Sequence, residues 1–480
     1  MTAAKNMIVI MSDEHANKII GCHGHPFIQT PNMDKLAAEG CRFTSAYTNS
    51  PICLPGRAAF ATGRYVNETG YWDNAHPYEG AIDSWGHVIQ RKGVKSVSIG
   101  KLHYRNETDD VGFDDQILPM HVVGQKGDIL GSVRDDLPRR MKCKSMSDQI
   151  GPGESTYTQY DRNITDLSCK WLTENANDGP FVLYVGLVAP HFPLIAPEAF
   201  YNLYKDMDIP MPKAYEISER PDHGWLNQWR KCWIHDEFFD DKKVIMALKS
   251  YYGLVSFLDD NIGKILAALE ESGVAGDTQV VYTSDHGDNM GARGLWGKST
   301  FFEEAAGIPM IVKGPDIQPG TVCETPVTLV DVASTITEEI AGETPDNWPG
   351  QSLNELAKTQ YDAERTVFAE YHAAGAISGA FMLRKGQYKY IHYVGYEPQL
   401  FDLNADPEEM NDVAHLPEHA ERIAAFEAEL REICDPDEVD VRAKRDQKKL
   451  VDENGGREAI VAKGGFGATP APGSSAEYAN

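Results

Sequence analysis

Through residue 365 the chain alternates short apolar runs with stretches whose apolar residues return every three or four positions. Met7-Ile8-Val9-Ile10-Met11, residues 181–188 and Gln279-Val280-Val281-Tyr282 lack the alternation of a half-exposed strand, and Ser96-Val97-Ser98-Ile99 joins them as a short run whose only polar residues are small. They read as strands buried on both faces, the kind that fills a parallel sheet covered by helices. Residues 32–40 read as a helix entered after Pro31 and closed by a glycine, and residues 243–271 as a long amphipathic helix. The pattern predicts an α/β fold: a large mixed, mostly parallel sheet flanked by helices. Beyond residue 365 the texture changes. Residues 366–371 and 381–391 read as strands, the latter a hairpin turning near Lys385-Gly386, and residues 417–433 as a polar helix. This predicts a catalytic α/β domain over 1–365 and a small C-terminal α+β antiparallel-sheet domain over 366–454. The Gly-, Ala- and Pro-rich stretch 455–480 reads as a disordered tail, or an oligomerisation arm that orders against another subunit.

Each of the four runs ends in titratable residues. They are Ser12-Asp13-Glu14-His15, Gly100-Lys101-Leu102-His103, Pro190-His191-Phe192-Pro193 and Thr283-Ser284-Asp285-His286-Gly287-Asp288. One such cluster is ordinarily a turn or a cap. Four of them sharing the carboxyl edge of one sheet predict a single site. Asp13, Glu14, Asp285 and His286 supply hard oxygens and one imidazole, a set that suits Ca²⁺, Mg²⁺ or Mn²⁺. Arg57, Lys101 and Lys298 add positive charge for a tetrahedral oxyanion, and His103 and His191 add groups that exchange protons near neutral pH. Two insertions interrupt this frame, a polar 105–160 expected as loops and an aromatic 197–240; both are where substrate specificity is expected. Trp225, Trp229 and Trp233 recur at helical spacing in the second. They read as a helix face packed on the core, with an aromatic wall or lid for a cationic substrate as the rival.

A net charge of −27 excludes a nucleic-acid partner and an anionic membrane surface, and requires that any anionic substrate meet a local positive site. No run of about 20 apolar residues occurs, so no membrane span is expected. The eight cysteines show no paired spacing and the first residues no secretory pattern, which together predict a reduced, cytoplasmic protein.

Cys53-Leu54-Pro55-Gly56-Arg57 opens a helix-like stretch, so a cysteine stands in the positive potential of a helix start beside an arginine. Cys-x-Pro-x-Arg is a sulfatase signature, and nearly the whole chain resembles the formylglycine-dependent sulfatases of the alkaline-phosphatase superfamily. The matching phrases run in order from Thr30-Pro31-Asn32-Met33-Asp34-Lys35-Leu36 through the Cys53 pentapeptide with Thr62-Gly63-Arg64 and the strand-end clusters to Gly297-Lys298 and Gln399-Leu400-Phe401-Asp402-Leu403. Ser284-Asp285-His286-Gly287-Asp288 and Gly294-Leu295-Trp296 resemble the choline-sulfatase branch, and Asp285-His286 also the phosphonate monoester hydrolases.

The resemblance implies that Cys53 becomes formylglycine (3-oxoalanine) through a maturation enzyme, binds the metal and attacks sulfur as its hydrate. It implies that Asp13, Asp285 and His286 are metal ligands, with Glu14 where relatives carry Asp or an amide. Arg57 and Lys101 would hold the hydrated aldehyde, and His103 would break down the ester intermediate. His191 and Lys298 would bind sulfate and assist the leaving oxygen, with Asn74 a further substrate contact. Gly56 stands where many relatives have Ser. The hydrate splits a hindered hydrolysis into two easier steps, since its second hydroxyl can expel sulfate without water attacking sulfur. Hydrolysis of a small anionic sulfate ester by a homo-oligomer, with Ca²⁺ ahead of Mn²⁺ or Mg²⁺, is the resulting expectation. The alternatives are a phosphonate monoester or phosphodiester hydrolase with the same site, and a non-catalytic binding protein on this scaffold.

Overall fold

The computed structural model describes residues 5–476, 478 and 479. Eight strands form the main sheet: β1 (Asn6–Asp13), β2 (Cys41–Phe43), β3 (Lys95–Lys101), β4 (Asp115–Met120), β5 (Phe181–Pro190), β6 (Thr278–Ser284), β7 (Met310–Lys313) and β8 (Thr321–Cys323). Their order is β8-β2-β7-β6-β1-β5-β3-β4, and β7 runs antiparallel to both its neighbours while the other pairs are parallel. The four runs read as buried strands are four adjacent strands, β6-β1-β5-β3. Register sets Ser12 beside Ser284 and Asp13 beside Pro190, so their carboxyl ends meet at one edge.

Alternation within the unbroken runs separates two cores. Ile8, Ile10, Leu183 and Val185 face one side, under the helices α2 (Thr156–Asn175) and α4 (Asp241–Ser272). Met7, Val9, Met11 and Tyr184 face the other, under α1 (Cys53–Thr62) and α5 (Leu329–Ile336). Each fully buried aliphatic side chain contributes about 1.5–3 kcal/mol, and burial on both faces is why these strands carry almost no polar residue before their last turn. No helix among the described residues is long and apolar enough to cross a membrane. All eight cysteines are free thiols.

A separate antiparallel meander follows: β9 (Thr366–Tyr371), β10 (Ala380–Lys385), β11 (Tyr388–Tyr393) and β12 (Tyr396–Asp402), turning between β10 and β11 at Gly386, φ +56°. Val367, Ala369 and Tyr371 pack toward the main body, where they meet Trp225 on α3 (Gly224–Cys232). Phe368, Phe381 and Tyr390 face Phe426 and Leu430 of α6 (Ala420–Ile433).

Two expectations are corrected and one helix is added. The 105–160 insertion is not all loop: it carries the edge strand β4 and the short helix Lys142–Asp148. Because β4 lies at the sheet edge and stays partly exposed, it lacks the apolar run that marked its neighbours. The 18-residue helix α7 (Pro436–Glu453) follows α6, capped by Asp435, whose carboxylate accepts from Asp437 N, with Pro436 in the first turn. Finally, the tail is ordered against its own chain. Residues 456–463 are helical, Gly465–Phe466 pairs with Tyr478–Ala479, and Thr469 and Ala471 are buried.

Candidate active site

Cys53 is the first residue of α1, and every residue of that helix is buried. Leu54 N donates to Asn74 Oδ1 at 3.1 Å, which satisfies one of the free amides of the helix start. Asn74, expected as a substrate contact, is therefore engaged in holding the residue next to Cys53. A Cβ at Gly56 would lie 3.1 Å from Ser50 O and 3.2 Å from Asp285 O. The glycine lets α1 seat closely against the end of β6, which is a reason of packing for its presence in the pentapeptide.

Around Cys53 Sγ stand Lys298 Nζ at 3.0 Å, His286 Nε2 at 3.2 Å and Asp13 Oδ1 at 3.7 Å. Arg57, 1% exposed, spends its donors on the strand ends. Nε donates to Asp285 Oδ2 (2.7 Å), Nη2 to Asp13 Oδ2 (3.1 Å), and Nη1 to Lys101 O (3.0 Å) and Tyr184 OH (2.8 Å). Lys101 Nζ lies 2.5 Å from Asp13 Oδ2. Arg57 and Lys101 thus orient the carboxylates around position 53. On the other side, His191 Nε2 lies 3.4 Å from Glu14 Oε2, and Lys298 Nζ 3.5 Å from Glu14 Oε1. The turn presenting His191 is pinned by Asp161 of α2, which accepts from Val188 N and Ala189 N, both at 2.7 Å.

His103 Nε2 meets Thr469 Oγ1 at 3.0 Å, and Tyr157 OH donates to Thr469 O at 2.5 Å. Nδ1 of His103 has no partner among the described residues. Burial lowers the His103 imidazole to about 4, against the raising influence of the nearby Cys53. The ring is neutral at physiological pH and available as a base. For Cys53, burial acts to raise the thiol, but Lys298, Lys101 and His286 outweigh it and hold it well below the usual thiol range. Burial works against a charge on His286, yet Asp285 brings its imidazole up to about 9. Asp288 rises to about 7 through burial and the nearby Glu14.

The donor set fits a metal ion. One ligand atom each from Asp13, Cys53, Asp285 and His286 lies within 4.8 Å of the others, and Asp13, Glu14 and His191 form a second group sharing Asp13. Glu14 Oε2 is buried without a hydrogen-bond donor, an orphan that a cation would satisfy. Carboxylate oxygens with one imidazole suit a hard divalent cation.

All the residues predicted for the site thus gather at one strand edge around Cys53, with Asn74 on the backbone of the next residue. What sequence reasoning missed comes from neighbours without a motif: Asp161, Tyr184, Lys142 of the first insertion and Thr469 of the tail. The pocket leading to Lys298 and His191 is lined by Trp229, Trp233 and Trp296, with Lys142, and by Gly467 of the tail. Trp225 instead lies in the core, donating to Ser378 O at 3.0 Å. The tryptophan stripe is both core and wall.

The Sulfatase family model matches residues 5–340, and a model described as N-sulphoglucosamine sulphohydrolase, C-terminal, matches residues 291–435. A choline-sulfatase of Rhizobium meliloti (strain 1021) is 29% identical over 431 residues, 87% of this chain and 84% of that protein. Arylsulfatase K of Bos taurus is 27% identical over 449 residues, 86% of this chain and 78% of that protein. Among solved structures, one in complex with its substrate D-glucosamine-2-N,6-O-disulfate superposes with TM-score 0.72 at 23% identity, covering 93% of this chain and 99% of that one. The phosphonate monoester hydrolase of Agrobacterium radiobacter superposes with TM-score 0.71 at 20% identity, covering 89% and 95%. The chain belongs to the sulfatase family and is a sulfuric ester hydrolase.

Proposed function

We propose that the protein hydrolyses sulfate esters with a formylglycine made from Cys53 and one divalent cation, Ca²⁺ before Mn²⁺ or Mg²⁺, held by Asp13, Glu14, Asp285, His286 and residue 53. The observation that carries the reading is the setting of Cys53 Sγ, 3.0 Å from Lys298 Nζ and 3.2 Å from His286 Nε2 at the start of a buried helix. A thiol kept only for packing would sit among apolar atoms. When present, the cation supplies Lewis-acid polarisation of sulfate oxygens and the aldehyde hydrate a pair of hydroxyls, one to attack sulfur and one to expel sulfate.

The chain's own residues do the rest. Lys298 and His191 bind the anion, and His191 gives a proton to the departing oxygen. His103, held at Nε2 by Thr469, offers Nδ1 as the base for the group at position 53. Arg57 and Lys101 keep Asp13 and Asp285 in place. The reading also carries a formylglycine-generating partner enzyme, a homo-oligomeric assembly and a cytoplasmic setting.

A second reading, cleavage of a phosphonate monoester or phosphodiester, rests on the Asp285-His286 pair and on cations that grip either tetrahedral anion. Parallel rates of the metal-loaded, modified protein on 4-nitrophenyl sulfate, a phenylphosphonate monoester and bis(4-nitrophenyl) phosphate separate them. The sulfate ester is expected to give the highest kcat/KM; a higher value on either phosphorus ester overturns the assignment.

A further inference from the structure

Beyond the sulfate-binding cations the pocket holds one more. Lys142 lines it together with Lys298, His191 and the three tryptophans Trp229, Trp233 and Trp296. Its ammonium lies 4.7 Å from the centroid of Trp233 and is joined to no carboxylate by an ion pair among the described residues. Asp128 is already paired with Arg140, whose guanidinium itself lies 5.3 Å from the same ring, and Glu14, which lines the same pocket, faces Lys298 and His191. Arg140 is 2% exposed, and its Nε and Nη1 have no acceptor. Burial beside Arg140 lowers the Lys142 ammonium to about 8, so the charged form still dominates at neutral pH. A half-buried ammonium without a paired counter-ion is costly, and the pocket's one carboxylate, Glu14, is turned to Lys298 and His191.

We infer that this pocket contains a second anion subsite, in which Lys142 binds an anionic group carried by the leaving alcohol of the sulfate ester. The inference rests on the sulfatase reading and names its substrate class: sulfate esters whose leaving group bears a carboxylate or a further sulfate. The pocket's tryptophans supply an apolar lining for the body of that group, and Lys142 its charged end. The same geometry disfavours a quaternary ammonium. The Trp233 ring is already stacked on Trp229 and His235 and holds an ammonium over it, so a trimethylammonium group would meet like charge where an aromatic cage needs an open ring face.

The test uses sulfonates as stand-ins that cannot be cleaved. Calorimetry on the metal-loaded, modified protein compares benzenesulfonate, 3- and 4-sulfobenzoate, and 4-(trimethylammonio)benzenesulfonate. One sulfobenzoate is expected to bind roughly tenfold tighter than benzenesulfonate, and the ammonium compound weakest. Lys142→Met should bring all of them within about threefold of one another, and Lys142→Arg should keep the order. Equal binding of the set by the unaltered protein, tightest binding of the ammonium compound, or an unchanged order in Lys142→Met overturns the subsite. Turnover of 4-nitrophenyl sulfate, measured on the same sample, keeps the two readings apart. Its absence with the binding order intact refutes hydrolysis and upholds the subsite, and its presence without the order does the reverse.

Discussion

Around Lys389, buried acids and bases close on one another; around Cys53, they close on a sulfur. In the first cluster Glu303 and Glu409 pair with Lys389, Glu304 with Arg293 and Lys213, and Glu408 with Lys213 and Lys18. Four carboxylates meet four cations, and the ion pairs tie β11 and the segment after β12 to the main body. In the second, Arg57 and Lys101 pair with Asp13 and Asp285, but Lys298 and His286 turn toward Cys53 Sγ. The two differ little in composition, and both have a buried centre, although the first reaches the surface at Glu408 and Lys18. What separates them is closure: charge that is fully answered within the chain stabilises, and charge aimed at a reactive atom or a cation serves chemistry.

Substitutions sharpen the contrast. Cys53→Ser should cost the most, removing multiple turnover on 4-nitrophenyl sulfate by at least ~10³-fold, because a single hydroxyl can begin the reaction but cannot release the product. Lys298→Met should lower kcat/KM by about 10²–10³ with a folding midpoint close to that of the unaltered protein. Lys389→Met should do the opposite, destabilising by about 3–5 kcal/mol in denaturant titrations because Glu303 and Glu409 are left buried without their cation, while activity per folded molecule persists. If Lys298→Met unfolds the protein and Lys389→Met is merely slow, the division between the clusters is wrong.

Smaller effects follow. Thr469→Val should lower kcat about fivefold by releasing His103 Nε2, with Thr469→Ser restoring it. Last comes acid stability. His25 and His235 are neutral in the fold, burial lowering their imidazoles to about 4 and about 3. An unfolded chain takes up protons below about 6.5 where the folded one does not. Stability should therefore fall as the pH drops from 6.5 toward 4, and a thermal midpoint that rises over that window would contradict the assignment.

How much of this was legible in the sequence follows from where each residue lies. Asp13, Lys101, His191 and Asp285 were readable because strands buried on both faces tolerate titratable residues only at their ends, and the register of β6-β1-β5-β3 brings those ends together. Cys53 was readable from its pentapeptide, and the small sheet from its hairpin turn. Lys142 was not: a lysine in a polar insertion has no periodicity to mark it, and its meaning comes from Trp233, distant in sequence. Thr469 was hidden by the Gly- and Pro-rich composition of the tail, which signals low intrinsic order but says nothing about a surface that the rest of the chain offers. The helix α7 left a usable signal, Asp435-Pro436, which its dense charge obscured.

The central claim is that Cys53 is the precursor of a nucleophile, and the mass of the peptide containing it is the direct test. In a fully active preparation that peptide should show the mass deficit of a thiol converted to an aldehyde and should react with a hydrazide. An intact thiol at Cys53 in protein with full turnover would contradict the account.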